Sequence, residues 1–139
     1  MQLIYKKDTT YVLRVERGEE LVATVLSFCQ QENIDAGWIS ALGACDNTEI
    51  SYYDLAKKEY MTKVVEEECE LLNLTGNIGY FEGKRMVHAH VTLGKSDYST
   101  VGGHLQSMRI TGTCEVYITQ FAHTFKREKD SATGLNLLR

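Results

Sequence analysis

Apolar and polar residues alternate in steps of two through most of this chain, which contains no proline, and no other feature constrains its fold as much. Successive side chains of a strand point to opposite faces, so such alternation marks half-buried β-structure, and without proline every strand keeps its full set of ladder donors. The pattern predicts strands at 2–6, 9–15, 37–44, 47–55, 59–65, 69–80, 85–93, 110–119 and about 122–126, with turns at Glu82-Gly83-Lys84 and Gly94-Lys95-Ser96-Asp97. One segment breaks the period. Leu21, Val22, Val25, Leu26 and Cys29 recur at helical spacing, Glu19 and Glu20 place two acids in the positive first turn, and Gln30-Gln31-Glu32-Asn33 ends the run. One early helix against six or more strands implies an α+β fold, a curled and mainly antiparallel sheet with the helix packed on one side. The 139 residues suffice for one compact domain, 1–139, and are too few for two.

Three of the four histidines fall in one short span. In Val87-His88-Ala89-His90-Val91-Thr92-Leu93 the apolar residues share one face, so His88 and His90 project together from the other. His104 follows Gly102-Gly103, a pair expected to let the backbone turn back towards that strand. Three neutral imidazoles with an open position are a common arrangement for an accessible divalent metal such as zinc. The plainer alternative leaves His88 and His90 as solvent-facing strand residues and His104 in a loop. His123, alone on the last predicted strand, reads as an ordinary polar residue.

Two carboxylates qualify as partners of such a metal. Counted by strand parity, Glu70 shares a face with Leu72, Leu74 and Ile78, which would hold a charge in apolar surroundings unless paired, metal-bound or protonated. Glu115 shares a face with Thr111, Thr113, Tyr117 and Thr119. Each fits a general base beside a metal-activated water, or an acceptor that orients a ligand histidine. Each also fits an ion pair or a sheet-surface acid.

Fifteen Lys and Arg against nineteen Asp and Glu give a net charge of −4, with the basic residues in scattered pairs: Lys6-Lys7, Lys57-Lys58, Lys84-Arg85 and Lys126-Arg127. That distribution weighs against nucleic-acid binding by a single chain, because non-specific affinity depends on neutralising many phosphates. Assembly of several chains could still gather the pairs into a patch. Cys29, Cys45, Cys69 and Cys114 are widely spaced, with no Cys-x-x-Cys, and Met1–Lys7 offers no signal-peptide run, so a reduced, cytoplasmic protein without a membrane partner is expected. Cys29 and Cys114 read as small core residues, and the sequon Asn73-Leu74-Thr75 as a chance match.

Taken together and in order, several of these residues resemble a known family, the plants and prokaryotes conserved (PPC) domain in its stand-alone prokaryotic form. The residues that carry the resemblance are the Arg14–Glu19 entry to the helix, Ile39-Ser40-Ala41-Leu42-Gly43-Ala44, the run from Glu70 to Ile78, His88-Ala89-His90, Gly102-Gly103-His104-Leu105, Thr113-Cys114-Glu115-Val116, and Arg127 with Thr133-Gly134-Leu135. The resemblance implies a homotrimer with a metal on His88, His90 and His104. In plant relatives the domain mediates self-association, while a separate basic AT-hook binds the DNA minor groove. This chain has no AT-hook, so the label of DNA-binding protein transfers by name more than by residues. Three function classes follow: metal-dependent chemistry on a small molecule bound in a cleft, DNA-binding or transcriptional regulation, and a trimeric interaction module with a structural metal.

Overall fold

The computed structural model describes residues 1–139. Its elements are β1 (Gln2–Lys7), β2 (Thr10–Glu16), α1 (Leu21–Gln31), β3 (Gly37–Asp54), β4 (Glu59–Val65), β5 (Cys69–Phe81), β6 (Lys84–Gly94), β7 (Thr100–Gln120), β8 (Lys126–Lys129) and β9 (Asn136–Leu138). The strands form one sheet in the order β1-β2-β7-β3-β5-β8-β9, with β4 on β3 and β6 joining both β5 and β7. Because β3 also pairs with β5 and with β7, the strands β3, β5, β6 and β7 close a circuit and the sheet curls on itself. Pairing is antiparallel except between β5 and β8. The α+β architecture expected from the alternation is the one found.

The core lies inside the curl. Leu13, Ile39, Leu71, Leu74, Ile78, Leu93, Ile110 and Ile118 are fully buried, and α1 adds Leu21, Val25, Phe28 and Cys29 from one face. All four cysteines are buried free thiols. Burial pushes the thiols of Cys29 and Cys114 up to about 12, as befits inert core residues. No helix is long and apolar enough to cross a membrane.

Local expectations shift in four places. Glu19 and Glu20 precede the helix rather than lying in its first turn. Glu20 is the N-cap, its carboxylate accepting from the Val22 and Ala23 amides and also from Met108 on β7, which ties the helix start to the sheet. Residues 37–54 form one strand where two, 37–44 and 47–55, were expected, with Asn47 left-handed (φ 42°) at an irregularity in the pairing. Residues 100–109 belong to β7, and 121–125 are irregular, so His123 sits exposed in a bend against Phe125 and not on a strand.

The segment after β8 is fastened across the β3–β4 hairpin. Tyr53 donates its hydroxyl to the Thr133 carbonyl at 2.8 Å, Lys58 Nζ donates to the Ser131 carbonyl at 2.9 Å, and the Asp130 carboxylate accepts from the Thr133 amide and hydroxyl. That strap brings residues 134–137 over one end of the sheet, beside the histidines.

Candidate metal centre

His88, His90 and His104 come together on the outer face of β6 and β7. His90 lies directly opposite His104 across the ladder, and His88 is one pleat along β6, opposite Asn77 of β5. Ring centroids stand 5.4 Å (His88–His90), 5.0 Å (His88–His104) and 5.5 Å (His90–His104) apart, and one nitrogen of each ring lies within 4.8 Å of the others. Tetrahedral zinc–nitrogen bonds of about 2.1 Å set ligand nitrogens roughly 3.4 Å apart. Side-chain rotations of about 1 Å therefore fit this donor set to a small divalent ion.

The glycines before His104 act differently from the expectation. Gly102 and Gly103 are strand residues opposite Thr92 and Val91, and the hairpin turns earlier, near Lys95–Ser99. A Cβ on Gly102 would stand 2.6 Å from the Val91 carbonyl oxygen, and one on Gly103 would stand 2.9 Å from that of Ser51. The missing side chains permit close backbone approach, which draws His104 against His90. Gly76 does the same on β5, where a Cβ would come within 2.3 Å of the His88 carbonyl oxygen.

Burial and charge keep the imidazoles of His88 and His104 neutral. Burial first, then the neighbouring Arg127 guanidinium and the other two rings, pushes His88 down to about 4. His104 is lowered by burial first, then by His90 and Arg127. Near neutral pH their lone pairs are thus free of protons, as metal ligation requires.

Residues with no part in the expected triad complete its surroundings. Tyr60 of β4 packs its ring 5.3 Å from His104. Arg127 of β8 donates from Nη2 to Asn77 Oδ1 at 2.8 Å and to His88 Nδ1 at 2.9 Å, and from Nη1 to the Asn136 carbonyl at 2.9 Å. A guanidinium has no acceptor, so His88 Nδ1 accepts and its ring proton sits on Nε2. Tyr60, His88, His104 and Arg127, with Met86, Gln106 and residues 134–137, line a cavity of about 390 Å³. The sequence offered little sign of Tyr60 or Asn77. Parity places Asn77 on the histidine face only once the β5–β6 register is known.

Glu70 and Glu115 are not brought to the histidines. The β5–β6 register shifts between Leu71 and Asn73, a bulge that reverses parity, so Glu70 and Leu72 face outwards while Leu71 and Leu74 are buried. The apolar setting expected for Glu70 is therefore absent, and its side chain lines a separate cavity of about 580 Å³ with Leu72, Lys95 and Tyr98. Glu115 is exposed eleven residues along β7 from His104, accepting from the Tyr117 hydroxyl at 3.0 Å.

At least one member of each basic pair is engaged. Lys6 pairs with Glu32, Lys57 lies 3.8 Å from Asp54, Arg85 binds Asp35 at 2.7 Å, and Arg127 turns towards the histidine cavity.

Solved structures share this fold. A metal-containing protein of Archaeoglobus fulgidus is 35% identical, with a TM-score of 0.89 over 100% of this chain and 99% of its own. A protein of Bacteroides thetaiotaomicron, named as a candidate DNA-binding protein, is 30% identical with a TM-score of 0.92 over 97% and 94% of the two chains. A plant- and prokaryote-conserved protein of Pyrococcus horikoshii is 32% identical, with a TM-score of 0.86 over 94% and 90%. No curated protein matches significantly. The family described as the Plants and Prokaryotes Conserved (PCC) domain, also written PPC, matches residues 3–122, and with a fold shared along nearly its whole length the chain belongs to that family.

Proposed function

We propose that this chain is a metal-binding PPC-domain protein whose His88, His90 and His104 hold a divalent ion at a cavity that admits a small molecule, with zinc, one of the ions imidazole ligands suit, taken as that ion. The observation that carries this reading is the convergence of three imidazole nitrogens within 4.8 Å beside a cavity of about 390 Å³. A bound ion would supply Lewis acidity, polarising a water or a ligand oxygen. The chain's own part is to keep His88 and His104 neutral by burial, to hold His104 against Tyr60, and to wall the cavity with the strap after β8. Glu70 and Glu115 enter this reading neither as base nor as ligand-orienting acceptor, since neither lines that cavity.

The same reading includes assembly as a homotrimer. Its support here is an outer sheet face on which Trp38, Leu42 and Tyr117 are 47%, 51% and 43% exposed, more apolar surface than an isolated sheet face usually leaves to water. Elemental analysis tests the central claim. Purified protein should carry about one zinc per chain, and His88→Ala or His104→Ala should remove most of it while the far-ultraviolet circular dichroism is unchanged. Light scattering on the same preparation should give three times 15.7 kDa. Protein that stays metal-free through zinc titration would refute the metal site.

DNA association is the second reading, favoured by the naming of two structural neighbours as candidate DNA-binding proteins. The net charge of −4 and the pairing of Lys6, Lys57 and Arg85 with carboxylates weigh against it.

A further inference from the structure

We infer that Arg127 anchors an oxyanion, the carboxylate or phosphate group of a small molecule, in the cavity beside His88, His90 and His104; the inference deepens the proposed metal site and rests on it. Arg127 has no carboxylate partner. Its hydrogen-bonding partners are an asparagine side chain, a backbone carbonyl and an imidazole, all neutral, and its Nε is buried without any partner. The cavity that Arg127 shares with Tyr60, His88, His104 and Gln106 contains no acidic residue. A half-buried cation with neutral company is costly unless something negative joins it, and a divalent ion on the three histidines would deepen the deficit. Guanidinium is also the side chain best suited to grip carboxylate or phosphate through paired N–H groups.

The contact with His88 adds a linkage. Nδ1 accepts from Arg127, so Nε2 carries the ring proton. For His88 to ligate a metal, either Nδ1 gives its lone pair to the ion or Nε2 does so after the proton moves to Nδ1. In both cases the Arg127–His88 hydrogen bond breaks. Metal binding thus releases a guanidinium N–H group at the cavity wall, where the oxyanion takes it. Metal and anion should therefore bind with positive coupling, each raising the affinity for the other by the same factor.

The test is calorimetric titration of the full chain, metal-free and zinc-loaded, with inorganic phosphate and with succinate. At least one probe should bind the zinc-loaded protein about tenfold or more tighter than the metal-free protein. Arg127→Met should weaken that binding by about tenfold or more while zinc content is retained, and Arg127→Lys should recover part of it. Binding of phosphate alone identifies a phosphate ligand, and binding of succinate alone a carboxylate. Failure of both probes on zinc-loaded wild type, or equal affinity in wild type and Arg127→Met, overturns the inference. If Arg127→Met does not fold, Arg127→Gln, which also removes the charge, decides by the same comparison. Should the wild type take up no zinc, the metal reading fails separately, and anion binding to the metal-free chain, lost in Arg127→Met, alone decides whether Arg127 is an anion anchor.

Discussion

Two half-buried arginines on strands that both pair with β5 show how the same side chain serves structure in one place and leaves an opening in another. Arg85 on β6 is 15% exposed and fully answered: its Nε donates to the Ile34 carbonyl, its Nη2 to Asp35, and its guanidinium lies over the Tyr80 ring, whose hydroxyl donates to the same Asp35 oxygen. That network joins the end of α1 to the β5–β6 hairpin. Arg127 on β8 reaches only neutral partners and keeps one buried N–H unpaired. A satisfied network fixes a geometry; an unanswered cation at a cavity waits for a counter-charge.

Unfolding of the two methionine variants puts this difference to the test, and carries the largest effect. Arg85→Met should cost about 1–3 kcal/mol, because the Ile34 carbonyl and Asp35 lose their donors, with the upper end discounted since Asp35 is half exposed. Arg127→Met should stay within about 1 kcal/mol of wild type, since it removes an unsatisfied buried group along with three hydrogen bonds to neutral partners. Urea denaturation with chelator present measures both. Equal losses would erase the distinction.

Acid unfolding sharpens the same contrast. His88 is lowered from its ordinary value to about 4, so between about pH 6.5 and 4 the unfolded chain binds a proton that the folded chain refuses. Stability of chelated protein is therefore fully present above about pH 6.5 and falls as pH drops towards 4, by about 2 kcal/mol for His88 after discounting residual solvent contact. Arg127 is the second cause of the depression, after burial. In Arg127→Met this acid loss should shrink, whereas Arg85→Met should keep it whole. Denaturation midpoints measured at pH 7.5 and 4.5 compare the three proteins.

Legibility from sequence followed the regularity of the backbone. On β6 the register with β5 is unbroken from Asn73 to Phe81, so parity counted correctly and His88 and His90 fell on one face as expected. His104 joined them through close strand packing at Gly102 and Gly103, and not through a turn; in one dimension a glycine pair reads alike for both. On β5 a single bulge reversed the parity that put Glu70 inside, and such a bulge leaves no strong side-chain signature. Arg127 reaches the site through a short parallel pairing of β8 with β5 and through the strap after it, contacts spanning some fifty residues that no local pattern records.

The smallest effect belongs to the two carboxylates, and its smallness is informative. Glu70 sits past the bulge at a different cavity, and Glu115 is hydrogen-bonded to Tyr117 far along β7. A carboxylate that orients a ligand histidine, once removed, costs about 10- to 100-fold in metal affinity. Glu70→Gln and Glu115→Gln preserve shape and remove charge, so each should leave zinc affinity within about twofold of wild type and stability within about 0.5 kcal/mol. Competition with a chromophoric chelator resolves such a difference. A tenfold loss in either variant would mean that a carboxylate reaches the ion despite its place in the fold, and would take from Arg127 its distinction as the only charged side chain lining the metal cavity.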